Sequence, residues 1–536
     1  IFSEVAMLSP RPNSTPSKLD ELRGAANDLI RRGQLHEAEK SCEQLVSAYP
    51  AEPDGWILLA RIAQRKNEFE RAHRHAETAR TKASERLDVR LVAAESHTYI
   101  GQVAEALSAF AEIERDSETD PEINRQLSAL YTQLGRHEAA YRCACRARAL
   151  APNSLNRIYL VASAAIAIGE LDEAEALLDE IIRTAPDEGD LYYNRATLKK
   201  QTFASNHIDE LRDRLSTIKP GDPRESPLCF ALGKELEDVG EHEASFDAIA
   251  RGAKARRARL SYNVEATDVA AANDIIQTFD KDWASFPSTQ SDAIGPIYVL
   301  GLPRSGTTLV DRILSAHSQV DSLGEINDLA YAVIRAGQPA ASKNELIRNS
   351  AKADMRTLGD ACAAAMRGYG ERGPFLIDKT PANYLYLGLI AKAMPNAKII
   401  HLRRHPLASC YAMYKTLFRM GYPFSYDLED IGHYYLAYHR LMGHWRELFG
   451  QRIFDVDYEA LVDDQESVSR AIIAHCGLPW ESACLDFHQS AKPTATASAA
   501  QVRQPLYNTS RDQWRTHKER LAPLTKILTE GGVTCD

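Results

Sequence analysis

A period of 34 residues in the amino-terminal part constrains the fold of this chain more than any other feature. The residues that recur at this spacing without a slip are Gly33, Asn67, Gly101, Gly135 and Gly169. A small residue stands five positions after each of them, at Ala38, Ala72, Ala106, Ala140 and Ala174. Such a period is typical of helix–turn–helix repeats, in which small residues let paired helices approach closely. Since one unit cannot bury its apolar face alone, we predict an all-α stack of five repeats over residues 19–188.

The repeated segments resemble tetratricopeptide (TPR) repeats. Examples are Gly33-Gln34-Leu35-His36-Glu37-Ala38 and Gly169-Glu170-Leu171-Asp172-Glu173-Ala174. The resemblance implies a groove that recruits a protein or peptide, as substrate or as partner. The other role that stays open is a scaffold that supports or dimerises the rest of the chain, so a homodimer is one expected outcome.

Weaker signals divide the remaining residues. A turn of the same type at Gly240-Glu241-His242-Glu243-Ala244 predicts degenerate TPR-like helices over residues 189–262. We expect a connecting segment at 263–291, a carboxy-terminal domain at 292–536, and a short N-terminal segment at 1–18.

Composition limits the classes of function. The chain has 536 residues, 44% of them hydrophobic and 26% charged, which is ordinary for a globular protein of several domains. A formal net charge of −10 argues against a nucleic-acid binder. No apolar stretch approaches the length of about 18 residues that a membrane span needs. Nine cysteines without metal-ligand spacing predict reduced thiols, and no secretory signal is recognised, so we expect a cytoplasmic protein.

A second constraint lies directly after the apolar run 297–300. The segment reads Gly301-Leu302-Pro303-Arg304-Ser305-Gly306-Thr307-Thr308 and is followed by a helical pattern. A strand that ends in a glycine-bounded loop before a helix predicts an oxyanion cradle, formed by backbone N–H groups and the helix dipole. Nucleotide hydrolases carry a lysine after the second glycine, so Thr307 argues against a γ-phosphate and against a nucleotide kinase.

The carboxy-terminal part alternates short apolar runs with helix-length segments. The runs are 297–300, 375–377, 398–402 and 453–456. This pattern predicts an α/β domain with a parallel sheet, whose ligands bind at the carboxyl ends of the strands.

The cradle resembles the 5′-phosphosulfate loop of sulfotransferases that use 3′-phosphoadenosine 5′-phosphosulfate (PAPS). With the repeats, the chain resembles TPR-repeat sulfotransferases, and its catalytic half resembles the tyrosylprotein sulfotransferases. The resemblance implies a P-loop-like sheet, PAPS as co-substrate and no metal. The donor-binding residues that it implies are Arg304, Ser305, Gly306, Thr307, Thr308, Arg404, Ser409, Tyr458 and Ser498.

Two positions depart from that family pattern. The serine expected eight residues after Arg404 is Ala412, and Ser409 is the candidate that compensates for it. A lysine of the nucleotide site is Gln513 in this chain. These departures keep open a TPR adaptor with a degenerate sulfotransferase domain.

Sulfuryl transfer needs cations at the leaving group and a base at the acceptor. Arg304 and Lys379, which follows the run 375–377, are the predicted catalytic cations. Glu325 lies 21 residues after Arg304, as the catalytic glutamate of tyrosylprotein sulfotransferases does, and His317 is the rival base. The acceptor is expected to be a hydroxyl of a protein or peptide, tyrosine included, with a polysaccharide or a small molecule as the alternative.

No cluster of ligands in the sequence demands a metal ion. His73 and His75 are two residues apart on one predicted helix and therefore point in different directions, so we expect both to be solvated rather than metal ligands.

Overall fold

The structure is a computed structural model, and it describes residues 18–291, 295–370, 373–418, 421–489, 506 and 511–535. The described residues fall into two compact units. The first is built from Ile1–Leu160 and Ile326–Arg372, and the second from Val161–Glu325 and Gly373–Asp536.

Helices follow one another along residues 18–257. They are α1 Lys18–Arg31, α2 Leu35–Ala48, α3 Asp54–Arg65, α4 Phe69–Lys82, α5 Leu87–Tyr99, α6 Val103–Asp116, α7 Pro121–Gln133, α8 His137–Leu150, α9 Leu155–Ile168, α10 Leu171–Thr184, α11 Gly189–Leu198, α12 Ile208–Thr217, α13 Glu225–Asp238 and α14 His242–Arg257. The predicted repeats therefore form helical pairs, and the all-α fold of this part is confirmed.

Backbone geometry explains which residues occupy the turns between paired helices. The chain passes there through the left-handed region, which a Cβ disfavours. The φ angle is 75° at Gly33, 80° at Gly101, 64° at Gly135 and 96° at Gly169. Asn67 has a φ of 59°, and asparagine is one of the few other residues that visit this region routinely. The repeat alanines are all at most 2% exposed, as close helix pairing requires.

Helices and strands alternate after residue 269. The helices are α15 Ala270–Thr278, α16 Lys281–Ser285, α17 Thr307–Ser315, α18 Asp328–Ala336, α19 Lys343–Ser350, α20 Met355–Arg367, α21 Leu387–Ala393, α22 Pro406–Tyr414, α23 Leu428–Phe449, α24 Tyr458–Asp463, α25 Gln465–His475 and α26 Ala522–Glu530. The strands are β1 Ile297–Gly301, β2 Val320–Ser322, β3 Phe375–Asp378, β4 Lys398–Arg403 and β5 Ile453–Asp457. None of the helices in the described part of the chain combines the length and the apolarity of a membrane span.

The strands form one parallel sheet in the order β2-β3-β1-β4-β5. Its centre is β1, all five residues of which are buried. Val299 on β1 packs in one core with Val310 and Ile313 of α17 and with Ile400 of β4. The parallel α/β fold is thus confirmed. The sequence predicts four of the strands and misses β2, because three residues are too short for a periodic signal.

Residues 326–372, which lie between β2 and β3 in the sequence, belong to the first unit. The ring of Tyr331 on α18 meets Phe69 at 5.2 Å and Tyr99 at 5.3 Å between centroids, both edge to face. The side-chain amide of Gln133 donates to the Tyr331 hydroxyl at 3.0 Å. Each of these three partners lies two residues from a turn, at Asn67, Gly101 or Gly135. Tyr331 therefore covers the edge of three repeats at which the turns lie.

The turn at Gly240 offers a clean test of the left-handed requirement. Its φ is 85°, and no atom lies within 4 Å of a Cβ built there, so only backbone strain opposes a side chain. We expect Gly240→Ala to lower the free energy of unfolding by about 1 kcal/mol. The measurement is urea unfolding followed by circular dichroism.

Gly443 is the matched control, since it lies in the same unit and also has open space around its Cβ position. It stands inside α23, where alanine is preferred over glycine by about 1 kcal/mol. Gly443→Ala should therefore raise the stability. Changes of the same sign in the two variants would contradict the explanation of the turn residues.

Candidate active site

Five of the predicted elements of the site lie at one edge of the sheet. The cradle follows β1, Lys379 follows β3, Arg404 follows β4, Tyr458 follows β5, and Glu325 lies three residues after β2. All five strands are parallel, so their carboxyl ends lie at the same edge, where ligands of such sheets bind.

Both glycines of the cradle are required by close contacts. Gly301 has a φ of 150°, and a Cβ there would lie 2.7 Å from the carbonyl oxygen of Leu402. Gly306 has a φ of 106°, and a Cβ there would lie 2.6 Å from the ring of Tyr458. Arg304, between them, also has a positive φ, of 64°. The loop therefore curls in a conformation that favours glycine and presses against β4 and Tyr458.

A buried hydroxyl lies inside this loop. Ser305 is 1% exposed, and its Oγ has no hydrogen-bond partner among the described residues. Thr307 and Thr308 begin α17 and are 4% and 6% exposed. An unsatisfied hydroxyl at a helix N-terminus fits an anion that accepts hydrogen bonds from the loop.

Arg404 connects three of the loops. Its Nη1 donates to the carbonyl oxygen of Arg304 at 2.9 Å. The carbon of its guanidinium lies 4.7 Å from the centroid of the Tyr458 ring, a cation–π contact. Because Tyr458 also contacts Gly306, the arginine, the tyrosine and the cradle form one connected group.

Lys379 and Glu325 form an ion pair, with 2.5 Å between Nζ and Oε1. The side chain of Lys379 is only 1% exposed, whereas that of Glu325 is 46% exposed. A further hydrogen bond, from the backbone N–H of Lys379 to the carbonyl of Gly324 at 2.9 Å, holds the two segments together. The pair thus combines a buried ammonium with a carboxylate that an acceptor can reach.

Two neighbours shape the surroundings of this pair. Asp311 on α17 is buried, and burial raises the pKa of its carboxyl, while the nearby charge of Lys379 opposes that rise. Burial, together with the charge of Glu325, raises the pKa of Tyr422 to about 12. Glu325 therefore lies near a neutral aromatic side chain.

The hydrogen bonds of His317, the rival candidate for the base, occupy both of its ring nitrogens. Its Nδ1 accepts from the backbone N–H of Gln319 at 3.1 Å, so the ring proton is on Nε2, which donates to the carbonyl of Pro479 at 2.8 Å. The ring is 1% exposed, and it follows the far end of α17 from the cradle. These contacts favour Glu325 over His317 as the base.

The remaining predicted residues are less closely tied to the cradle. Ser409 is buried on α22, where its backbone N–H donates to the carbonyl of His405 at 2.9 Å. Ala412 lies on the same helix and is 6% exposed. Ser498 lies outside the described residues.

Residues 296–482 match the family described as the sulfotransferase family. They form a sulfotransferase-family domain. The chain is 29% identical over 385 residues to an uncharacterized protein of Aquifex aeolicus, a match that covers 68% of this chain and 49% of that protein. It is 25% identical over 195 residues to a protein-tyrosine sulfotransferase of Drosophila melanogaster, covering 35% of this chain and 39% of that enzyme. The chain thus spans less than half the length of these two relatives.

A solved structure is also similar to the chain. It is the sulfotransferase domain from the curacin biosynthetic pathway, at 17% identity and a TM-score of 0.33, with 47% of this chain and all of that domain covered.

The sequence does not single out Lys415, which stands at the end of α22 in the sulfotransferase domain. Its Nζ donates to Oε1 of Gln513 at 2.7 Å and pairs with Glu237 of α13 at 2.7 Å. Burial lowers the pKa of this lysine, Glu237 opposes the effect, and the charges of Arg304 and Arg404 add to it. Lys415 therefore brings a cation to the place where Gln513 replaces the expected lysine. The signal in the sequence that could have identified Lys415 is its position three residues, about one helical turn, after Ala412.

We expect Lys415 to contribute to nucleotide binding. Lys415→Gln should weaken the binding of adenosine 3′,5′-bisphosphate about ten-fold or more, because a hydrogen bond from a charged group is lost. Isothermal titration calorimetry measures this change. The control is Lys234→Gln, since Lys234 pairs with Asp238 on α13 at 2.6 Å. Equal affinity in the two variants would exclude Lys415 from the site.

Proposed function

We propose that this chain is a PAPS-dependent sulfotransferase that moves a sulfuryl group to a hydroxyl of a protein or peptide. The observation that carries the proposal is the Lys379–Glu325 ion pair beside the glycine-bounded cradle. A buried cation and a reachable carboxylate next to an anion site are what sulfuryl transfer to a hydroxyl requires.

The residues of the cradle suit the phosphosulfate end of the donor. Ser305 offers an unsatisfied hydroxyl, and the start of α17 offers backbone N–H groups. Thr307 stands where nucleotide hydrolases have a lysine, which favours a phosphosulfate over a γ-phosphate. Arg404 and Lys415 supply positive charge for the 3′-phosphate, and Tyr458 supplies an aromatic face close to Arg404 for the adenine. A lysine at Gln513 is thus not needed for this charge.

The reaction is an in-line displacement at sulfur. The acceptor oxygen forms a bond to sulfur while the bond from sulfur to the bridging phosphate oxygen breaks. The proton of the acceptor hydroxyl goes to Glu325, and adenosine 3′,5′-bisphosphate leaves with the electron pair. Lys379 and Arg304 stabilise the charge that grows on the bridging oxygen, and no metal takes part.

Protein substrates are favoured by two observations. The Drosophila relative is named a protein-tyrosine sulfotransferase, and the amino-terminal helices form repeats of a type that often bind peptides. We therefore assign the repeats to recruitment of a substrate or partner, with tyrosine among the acceptors. The free cysteines, most of them buried, suit the reducing cytoplasm.

Binding selectivity separates the proposal from its competitors. We expect micromolar affinity for adenosine 3′,5′-bisphosphate and weaker binding of ADP and ATP. Both lack the 3′-phosphate for which Arg404 and Lys415 supply positive charge, and the cradle has no lysine for the γ-phosphate of ATP. Calorimetric titration of the full chain with the three nucleotides measures this preference. Preference for ATP would support a kinase, and the absence of binding would support an adaptor with a degenerate domain.

Acceptor class needs a separate assay. When the full chain is incubated with radiolabelled PAPS and with the protein and the glycan fractions of the host, the label should appear in protein. Label found only in glycans or small molecules would contradict the protein acceptor and leave the sulfotransferase reaction intact.

Glu325→Gln tests the base. The variant should keep its affinity for adenosine 3′,5′-bisphosphate and lose about 10²–10⁴-fold in kcat, because the neutral amide does not accept the acceptor's proton. Steady-state transfer from radiolabelled PAPS gives kcat. Glu447→Gln is the control, since Glu447 is exposed on α23. An unchanged kcat in Glu325→Gln would exclude this residue as the base.

A further inference from the structure

Three side chains that the proposed reaction does not use converge between two consecutive repeats. They are His73 and Glu77 on α4 and His97 on α5. One ligand atom of each lies within 4.8 Å of the other two. His97 Nε2 lies 3.9 Å from Glu77 Oε1, and the two imidazole centroids are 4.8 Å apart. The geometry points to a zinc-binding site formed by this His73–Glu77–His97 triad.

The hydrogen bonds of His73 prepare it as a ligand. Its Nδ1 lies 2.8 Å from Oγ of Ser96, and that hydroxyl already donates its own hydrogen to the carbonyl of Ala93 at 2.6 Å. The Ser96 oxygen must therefore accept, so Nδ1 of His73 carries the proton. The lone pair is then on Nε2, which can bind a cation.

His97 is prepared in the same way. Its Nδ1 lies 2.6 Å from the side-chain carbonyl oxygen of Gln102, which accepts a hydrogen bond from the Nδ1–H. Nε2 of His97 is thus left with its lone pair, close to Glu77. Metal-binding histidines usually donate their second ring nitrogen to an acceptor in this manner, which fixes both the tautomer and the orientation of the ring.

The carboxylate also has one oxygen to offer. Oε2 of Glu77 accepts two hydrogen bonds from Arg80, at 2.9 Å from Nε and 2.6 Å from Nη2. This contact holds the carboxylate on α4 and leaves Oε1 on the side of His97. Two imidazoles and one carboxylate form a donor set that suits zinc rather than magnesium or calcium.

The distances allow an ion with small movements of the side chains. Zn–N and Zn–O bonds of about 2.1 Å place tetrahedral ligand atoms about 3.4 Å apart, so each ligand has to move by about 1 Å or less. The side chains of Glu77 and His97 are 27% and 22% exposed, which leaves an entry path and a fourth position for water. Since α4 closes one repeat and α5 opens the next, the ion joins two repeats.

The sequence alone did not reveal this site. His73 and His75 lie two residues apart on α4, and the ring of His75 instead lies near that of Trp56, tilted at 5.6 Å between centroids. The second histidine ligand comes from a different helix, 24 residues further along the chain.

Zinc titration of the full chain against a chromogenic indicator tests the site. We expect one equivalent of Zn²⁺ to bind to the wild type and to be lost in His97→Asn and in Glu77→Gln. Ser96→Ala should weaken binding about 10–100-fold, as removal of an acceptor behind a metal-binding histidine does. His75→Asn, on the same helix, should bind as the wild type does.

The variants also separate this site from zinc held by cysteine thiols. If His97→Asn and Glu77→Gln retain the equivalent with unchanged affinity, the triad does not bind zinc. Magnesium or calcium displacing zinc at equal concentration would also overturn the inference. Co²⁺ provides a check in folded protein, because its visible absorption should show tetrahedral coordination in the wild type and in His75→Asn, but not in His97→Asn.

Discussion

The backbone hydrogen bonds that hold β1 parallel between β3 and β4 determine where every group of the candidate active site lies. The pairing of Gly301 with Leu402 places the cradle opposite the loop that carries Arg404. Pairing of β1 with β3 places Lys379 on the other side of the cradle. A slip of one residue would turn the side chains of a strand to the opposite face of the sheet. The buried core around Val299 therefore supports the chemistry as well as the fold.

The candidate active site gathers positive charge, although the formal net charge of the chain is −10. Arg304, Arg404 and Lys415 lie close enough for the two arginines to lower the pKa of the lysine. Like charges held together cost free energy unless an anion joins them. Glu237 offsets part of that cost at Lys415, and the aromatic face of Tyr458 does so at Arg404. A ligand with two separate anionic groups would complete the balance.

The helices before the sheet contribute directly to this balance. Glu237 belongs to α13, in the segment predicted as degenerate repeats, and it holds Lys415. In the same unit the ring of Phe246 on α14 stacks on Tyr411 of α22, at 6.2 Å between centroids. The sulfotransferase domain thus takes part of its support from helices outside residues 296–482. Support of the candidate active site is therefore one role of α13 and α14.

The sequence by itself determined the repeats, the turn residues and the cradle, because each depends on local backbone geometry: a left-handed φ selects Gly101 or Asn67 in the turns and Gly306 in the cradle. It also indicated Lys379 and Arg404, which directly follow apolar strands. Only the tertiary structure paired Lys379 with Glu325, joined Nε2 of His317 to the carbonyl of Pro479, and brought Lys415 to Gln513. Those contacts join residues 54 to 162 positions apart, and no short-range pattern encodes side chains that meet through packing alone.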